Sequence, residues 1–490
     1  MSSPNGLVCF TNCLLPQEDG SLIAKDLWID ERTGLILDPN ETFFGKKLRP
    51  GRTVDLSGDV LSPGFLDIQI NGAYGFDFSV YENNDDDYRE GMQMMAEKII
   101  ETGVTSLLPT IITQEKSFYP KLLQLLRPFS TPKSATLLGW HAEGPFLEYT
   151  KRGAHAPPYL VEAPKGFNSF EEVYGKENLI GHKEWYQSQD IAIRMITAAP
   201  ELPGVLDALQ TLTDRGIVVS IGHSNAQTDI AMAAVKRGAK LITHLFNAMP
   251  QFHHRDPSIV GLLGASPFFN APIPFPLAYV HCDPKHTIEL QGGTSPTSPS
   301  SKNATYFVPG SGNVTPGSPI QTGTQSGLDP VGRVVFERPF YGIIVDGIHC
   351  HPNSVRLAYS AHPNGCILIT DAMKILDPNL KDGIHEWRDG KRFVKEGERL
   401  YLEGTNTLAG SVVTLDKCVR NFATFTGCSL GEAIKCVTYN PARCLGIEHI
   451  KGTLRPGAHA DLVVLDRYGC VKSTWIRGNH VWSSNSIVHG

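Results

Sequence analysis

The sequence predicts an α/β protein: a closed (β/α)8 TIM barrel with a small β-sandwich built from both chain termini. Eight short apolar runs recur between about residue 61 and residue 373, and helical patterns separate most of them. Both ends of the 490-residue chain have the pattern of β-hairpins. Eight β-α repeats over this length are typical of a closed barrel. The predicted domains are residues 61–450 for the barrel and residues 1–60 with 451–490 for the sandwich.

The strand candidates are continuous apolar runs, which are typical of strands buried on both faces of a parallel sheet. An open doubly wound sheet is the alternative, but no GxGxxG motif follows the first run. In chain order the candidates are GFLDIQI, TSLLPTII, ATLLGWHAE, IAIRMITAAP, GIVVSIGHS, KLITHLFNA, FYGIIVDGIH and GCILITDAM.

Helical patterns lie between the strand candidates. In PGVLDALQTLTDRG, Leu206, Leu209 and Leu212 recur at helical spacing, and Gly216 follows as a stop signal. AQTDIAMAAVKRGA and PNSVRLAYSAHP are two further candidates.

The two ends of the chain each contain a predicted hairpin. DLWIDERTGLILD turns at Arg32-Thr33-Gly34, and ADLVVLDRYGCVKSTWIRGNHVW turns at Arg467-Tyr468-Gly469. Short β segments at opposite termini can each bury a face by packing together, which predicts one small sandwich beside the barrel.

Residues 291–328 interrupt the repeat. They are rich in Gly, Ser, Thr and Pro, and Lys302 is their only charged residue. Because such a segment buries too little apolar surface to offset its ordering entropy, we interpret it as a flexible insertion before the seventh strand.

Composition excludes several classes of protein. Apolar residues make up 41% and charged residues 19%, which is globular composition. A net charge of −6 offers no basic surface for nucleic acid or an anionic membrane. The first residues lack a secretion signal, and ten scattered cysteines without a CxxC pair favour reduced thiols. We therefore expect a cytoplasmic protein.

Five ionisable side chains stand at the carboxyl ends of the predicted strands, where a barrel builds its active site. A single histidine there is usually structural, but five matching positions indicate a shared site. Glu143, His223 and His244 suit a catalytic zinc with an open position, although iron, manganese or cobalt would also be tolerated. Asp371 is then the natural general base for water, and His349 would bind or polarise the substrate.

Several motifs together resemble the amidohydrolase superfamily over nearly the whole chain. These are PGFLDIQING, HAEGPFL, GHSNA, THLFNAM, TDA and NPAR. Within that superfamily they are similar to the deacetylases of acetylated amino-sugar phosphates. The resemblance implies a homodimer with one divalent metal ion per subunit, with zinc as the expected ion. It implies hydrolysis of N-acetylglucosamine 6-phosphate to glucosamine 6-phosphate and acetate.

The same resemblance implies roles for individual residues. Glu143, His223 and His244 would ligate the metal, and Asp371 would activate water and later protonate the leaving amine. His155, in KRGAHAP, would contact the sugar or the amide oxygen as charge develops.

The resemblance also implies a phosphate site. Asn247 and Ala248 would offer backbone N–H groups to the 6-phosphate, and Arg255 would clamp it from a second subunit. Arg-Asp-Pro-Ser stands at residues 255–258 where family members often have Arg-Glu-Pro-Gly, so this loop departs from the pattern. LAGSVV, residues 408–413, resembles a loop that lines the sugar pocket, with a simple helix start as the alternative.

One departure concerns the number of metals. Many superfamily members carry His-x-His at the end of the first strand, where this chain has Gln69 and Asn71. Neutral amides are poor zinc ligands, which favours a one-metal site in which these two residues form hydrogen bonds at the barrel mouth.

Two other functions remain open from the sequence. One is a one-metal amidohydrolase that acts on another amide or on an aminated ring. The other is a barrel without catalysis that serves as a scaffold, which the long insertion would suit.

Overall fold

The computed structural model describes residues 3–179, 181, 193–266, 336–388 and 390–484. The chain divides into two compact units, residues 1–265 with 337–490, and residues 266–336. The predicted insertion at 291–328 lies outside the described residues.

The strands of the described residues are, in chain order, β1 Leu7–Thr11, β2 Leu14–Pro16, β3 Leu22–Ala24, β4 Leu27–Asp30, β5 Leu35–Leu37, β6 Arg52–Asp55, β7 Val60–Pro63, β8 Phe65–Ile70, β9 Gly72–Ala73, β10 Phe76–Asp77, β11 Val104–Ile112, β12 Thr136–Leu137, β13 Trp140–Glu143, β14 Ile193–Ala198, β15 Val218–Ile221, β16 Leu241–Ile242, β17 Phe340–Ile344, β18 Cys366–Ile369, β19 Gly383–Glu386, β20 Arg392–Glu396, β21 Arg399–Leu402, β22 Leu462–Leu465, β23 Val471–Ile476 and β24 Asn479–Ser483. The α-helices are α1 Asp85–Lys98, α2 Phe118–Leu125, α3 Phe167–Tyr174, α4 Val205–Asp214, α5 Thr228–Lys236, α6 Pro352–Ala361, α7 Leu415–Thr426, α8 Leu430–Lys435 and α9 Tyr439–Leu445.

The predicted barrel is confirmed. β8, β11, β13, β14, β15, β16, β17 and β18 pair in parallel in that order, so each of the eight apolar runs supplies a barrel strand. The third run also forms the short β12, which pairs with β11. Just beyond the last strand, the N–H of Asp371 donates to the carbonyl of Gln69 at 2.9 Å, which joins the end of the sheet to its beginning.

Burial explains why the runs are continuously apolar. Every residue of these eight strands is buried, since side chains on one face fill the barrel and those on the other contact the surrounding helices. The helices predicted from the three helical patterns are α4, α5 and α6. In α4 the buried stripe is Val205, Ala208, Leu209 and Leu212, so Leu206 lies beside the stripe and not in it.

Strands from both termini share one sheet. The six-stranded sheet has the order β24-β23-β22-β7-β2-β3, and a separate four-stranded sheet has the order β5-β4-β1-β6. Both predicted hairpins are present, as β4–β5 and β22–β23. Phe10 of β1 meets Trp475 of β23 edge-to-face, with ring centroids 5.0 Å apart, in a hydrophobic cluster that draws on both sheets. The β-sandwich as a domain stays a prediction.

A three-stranded antiparallel sheet, β19-β20-β21, follows the last barrel strand, and the sequence analysis did not predict it. Its buried residues Phe393 and Leu400 cluster with Ile112 and Met373, which lie at the barrel end. This sheet therefore packs against the face where the strands end.

None of the described helices combines the length and the apolar character that a membrane span requires.

Candidate metal and active site

The carboxyl ends of the barrel strands meet in one cavity of about 190 Å³. It brings together eight of the nine predicted site residues: Glu143, His155, His223, His244, Asn247, Ala248, His349 and Asp371. Leu408, Ala409 and Gly410 of the LAGSVV segment also line it. Arg255 is exposed and does not belong to the lining.

Three of these side chains are directed into the cavity by an unusual backbone. Each lies two residues beyond its strand, and φ is +48° at His223, +24° at His244 and +46° at Asp371. Left-handed backbone costs a residue other than glycine about 1 kcal/mol or more, and such strain clusters at functional sites. The barrel therefore holds these three side chains in costly conformations at the same place.

Glu143, His223 and His244 form a compact triangle of donor atoms. Oε1 of Glu143 lies 3.1 Å from Nε2 of His223 and 3.1 Å from Nε2 of His244, and the two nitrogens are 3.0 Å apart. The three residues are 2%, 5% and 4% exposed. Among the described residues, this is the group whose side chains converge closely enough to hold a metal ion.

The hydrogen bonding of His223 shows that a cation fits this triangle. Nδ1 of His223 donates to the carbonyl of Lys151 at 2.7 Å, so a neutral ring presents a lone pair at Nε2. That lone pair faces a carboxylate oxygen and a second imidazole nitrogen. Zinc bonds of about 2.0–2.2 Å in a tetrahedron place ligand atoms about 3.3 Å from one another, close to the observed spacing. The donor set therefore fits a divalent metal.

The electrostatics of the site separate its two carboxylates. Burial raises the pKa of Glu143, but contact with His223 and His244 outweighs it and holds that pKa well below its usual range. Burial, together with the negative charge of Glu143, raises the pKa of Asp371 to about 6. Glu143 is therefore charged, whereas Asp371 is poised to exchange a proton near neutral pH.

Gln69 and Asn71 act on both carboxylates. Nε2 of Gln69 lies 3.2 Å from Oε1 of Glu143 and 3.5 Å from Oδ1 of Asp371, and Nδ2 of Asn71 donates to the same Asp371 oxygen at 2.7 Å. These contacts agree with the predicted hydrogen-bonding role at the barrel mouth.

Two partners of the cavity histidines escaped the sequence analysis. Thr113 contacts Nδ1 of His155 through its N–H at 3.2 Å and its hydroxyl at 2.8 Å. Nδ1 of His349 donates to Oδ2 of Asp346 at 2.6 Å. Asp346 stands within the seventh apolar run, so an acid three residues before His349 was a signal in the sequence. Thr113 directly follows the second apolar run, but it was passed over because its side chain does not ionise.

The predicted phosphate site is less complete. The N–H of Asn247 donates to the carbonyl of His244 at 2.9 Å, so this group is used within the turn and is not offered to a ligand. Oδ1 of Asp256 accepts hydrogen bonds from the N–H groups of Thr228 and Ser258 at 3.1 and 3.0 Å. This carboxylate ties the loop that carries Arg255 to the start of α5.

The sheet β19-β20-β21 also contributes to the cavity. Trp387, between β19 and β20, lines it and donates from Nε1 to Oδ2 of Asp77 at 2.9 Å. Arg388 donates to the carbonyl of Thr113 at 3.1 Å. The sequence analysis did not identify these two residues because they are far from every predicted strand end.

Comparison with known proteins agrees with this geometry. The sequence model of the family described as "Amidohydrolase family" matches residues 60–481. The chain belongs to the amidohydrolase family. Amidohydrolases depend on metal ions, and the Glu143, His223 and His244 group is where this member can hold one.

Individual amidohydrolases match almost the whole chain. It is 37% identical over 475 residues to "N-acetylglucosamine-6-phosphate deacetylase" of Danio rerio, with 96% of each chain covered. It is 37% identical over 481 residues to the protein of the same name from Homo sapiens, which covers 97% of this chain and 96% of the relative. The crystal structure of that enzyme from Thermotoga maritima superposes with a TM-score of 0.68 at 25% identity, covering 97% of this chain and 100% of that one.

Proposed function

We propose that this amidohydrolase removes the acetyl group from N-acetylglucosamine 6-phosphate and yields glucosamine 6-phosphate and acetate. The observation that carries the proposal is the donor triangle of Glu143, His223 and His244 beside the carboxyl group of Asp371. The names of relatives that share over a third of its residues support the same substrate.

We propose one zinc ion per site, held by these three residues. A bound divalent ion polarises the amide carbonyl and makes water easier to deprotonate. Gln69 and Asn71 occupy the place where other family members carry a pair of histidines, and both already donate to carboxylates. A single metal therefore accounts for the donor set.

Asp371 moves the proton in the proposed reaction. Asn71 occupies its Oδ1, so Oδ2 is the oxygen that can take a proton from attacking water. Since its pKa is about 6, the group is mostly ionised at neutral pH and still basic enough to accept. It then returns the proton to the departing amine, which leaves poorly unless protonated. His155 would donate to the amide oxygen, and His349 would bind the sugar.

For the phosphate we propose Ala248, beside Asn247, together with Arg255 of a second subunit in a homodimer. The support is that Arg255 is exposed and that Asp256 anchors its loop to the start of α5. Mixed dimers test this directly. Arg255→Ala and Asp371→Asn are each expected to be nearly inactive alone, but a mixed dimer regains one intact site if Arg255 acts across the interface. Without recovery, Arg255 acts in its own subunit or not at all.

The function itself is tested by acetate release from N-acetylglucosamine 6-phosphate before chelation, after it and after zinc is restored. Activity should disappear and return, and the unphosphorylated sugar should be a much poorer substrate. Turnover of a cyclic amide or an aminated purine instead would favour the first alternative, and stoichiometric metal without any turnover would favour the scaffold. The cytoplasmic location stays a prediction.

A further inference from the structure

His155 receives a hydrogen bond that defines where its own proton lies. The backbone N–H of Thr113 is directed at Nδ1 of His155, with 3.2 Å between the nitrogens. A backbone N–H can only donate, so Nδ1 must present its lone pair. A ring that accepts at Nδ1 carries its hydrogen on Nε2. The hydroxyl of Thr113, 2.8 Å from the same Nδ1, can donate to it as well.

The accepted N–H also means that this ring is neutral, because an imidazolium ion carries hydrogen on both nitrogens and has no lone pair to accept with. His155 is 5% exposed. Among the described residues, none forms a hydrogen bond with Nε2, and the side chain lines the cavity beside the metal ligands. Nε2–H is therefore left for a ligand in the cavity.

Thr113 is itself held from two sides. Its carbonyl accepts a hydrogen bond from Arg388 at 3.1 Å. On the other side Gly144 packs so closely that a Cβ there would lie 2.3 Å from the Thr113 hydroxyl oxygen. A larger residue at 144 would displace Thr113, so the turn after Glu143 and the β19-β21 segment together fix its position.

We propose that Thr113 is a positioning residue that locks His155 in the Nε2–H form, so that His155 acts on the substrate as a neutral hydrogen-bond donor. In this role His155 donates to the amide oxygen and transfers no proton, which leaves proton transfer to Asp371. The substrate in this statement rests on the proposed function. In His349 the hydrogen lies on the other ring nitrogen, because its Nδ1 donates to Asp346.

The first test reads the proton position without any substrate. The zinc-loaded protein is labelled with ¹⁵N in its histidines, and long-range ¹H–¹⁵N correlation spectra distinguish the two neutral forms and the imidazolium ion. The His155 signals are identified by their loss in His155→Gln. At neutral pH we expect hydrogen on Nε2 alone. Hydrogen on Nδ1, or on both nitrogens, would overturn the inference.

The second test separates a donor from an acid or base. The amide nitrogen of glutamine reaches close to the place of Nε2, whereas that of asparagine reaches only Nδ1. His155→Asn should lower kcat by about 10²–10³-fold, the usual cost of losing one donor to a developing oxyanion, and His155→Gln should retain about tenfold more activity than His155→Asn. Equal losses would contradict the donor role.

Matched controls keep these outcomes separate. His480, exposed on β24, is replaced by the same two residues, and both variants should keep full activity. Thr113→Val retains the backbone N–H, so the His155 spectrum should keep hydrogen on Nε2; a change of form there would overturn the role of that N–H. A wild-type enzyme that shows the Nε2–H form but releases no acetate would overturn the proposed function alone.

Discussion

Asn71 donates a 2.7 Å hydrogen bond from Nδ2 to Oδ1 of Asp371, the group that we propose as general base. A donor of this kind stabilises the ionised carboxylate and so lowers its pKa. Burial and the charge of Glu143 act in the opposite direction and together raise the pKa to about 6. Asn71 therefore limits how far that pKa rises, and this relationship can be measured.

Replacing Asn71 with alanine should move the acid limb of the activity profile to higher pH. Asp371 must be ionised to accept a proton, so activity falls as pH drops through its pKa, and loss of the donor raises that pKa. At neutral pH we expect kcat to fall about 2- to 15-fold, since a hydrogen bond to a charged group contributes about 1.5–3 kcal/mol and its loss would raise the pKa from about 6 to about 7–8. The measurement is kcat from about pH 5 to about pH 9.

The control for this experiment is Asn479→Ala, an exposed asparagine on β24, which should leave the profile unchanged. A profile for Asn71→Ala with an unmoved acid limb would show that Asp371 does not govern it.

Glu143→Gln should abolish stoichiometric metal binding while it preserves the size of the side chain. Glutamine removes the charge that His223 and His244 stabilise against burial, and neutral amides are poor ligands. At saturating zinc the wild type should melt several degrees higher than its chelated form, because a ligand at 100 times its Kd stabilises by about 2.7 kcal/mol. The variant should show no such shift.

Metal content and melting temperature are measured together, with Glu90→Gln on the exposed face of α1 as the matched control. A variant that keeps full zinc content would exclude Glu143 as a ligand.

The sequence predicted the parts of this site that strand ends determine. Glu143, His223, His244 and Asp371 each follow a continuous apolar run, and parallel strands in a barrel bring their carboxyl ends together whatever lies between them. Thr113 also follows such a run, but it was passed over because it does not ionise and acts through its backbone. Trp387 lies on an added sheet, far from every predicted strand end. A backbone N–H that acts as a donor, or a sheet added outside the barrel, leaves no recognisable pattern of residue types. The N–H of Asn247 is a further case, because the turn it lies in already pairs it with the carbonyl of His244.

Trp387→Phe tests the hydrogen bond that links the segment of the added sheet to Asp77. The substitution keeps an aromatic ring but removes the Nε1–H that donates to the buried carboxyl of Asp77 at 2.9 Å. An unpartnered buried acceptor costs about 1–3 kcal/mol, so the free energy of unfolding should fall by that amount. Urea titration gives the change, and Trp482→Phe on β24 should lower stability much less. If both substitutions lowered the free energy of unfolding equally, the hydrogen bond to Asp77 would not contribute to stability.

Asp67, two residues before Gln69 on β8, gives the stability of the fold a pH dependence of its own. It is fully buried, its Oδ2 accepts from the hydroxyl of Thr370 at 2.6 Å, and burial raises its pKa from 3.8 to about 7. Because the folded-state pKa lies above the unfolded one, the contribution of Asp67 to stability is complete below about pH 4 and is lost as pH rises through about 7.

The Asp67→Asn variant cannot ionise at this position, so the wild type should lose about 2 kcal/mol of stability relative to this variant between about pH 5 and pH 8. Urea titrations of both proteins at the two pH values give that difference, with Asp86→Asn on α1 as an exposed control. A constant difference across this range would show that Asp67 is ionised in the folded protein at both pH values.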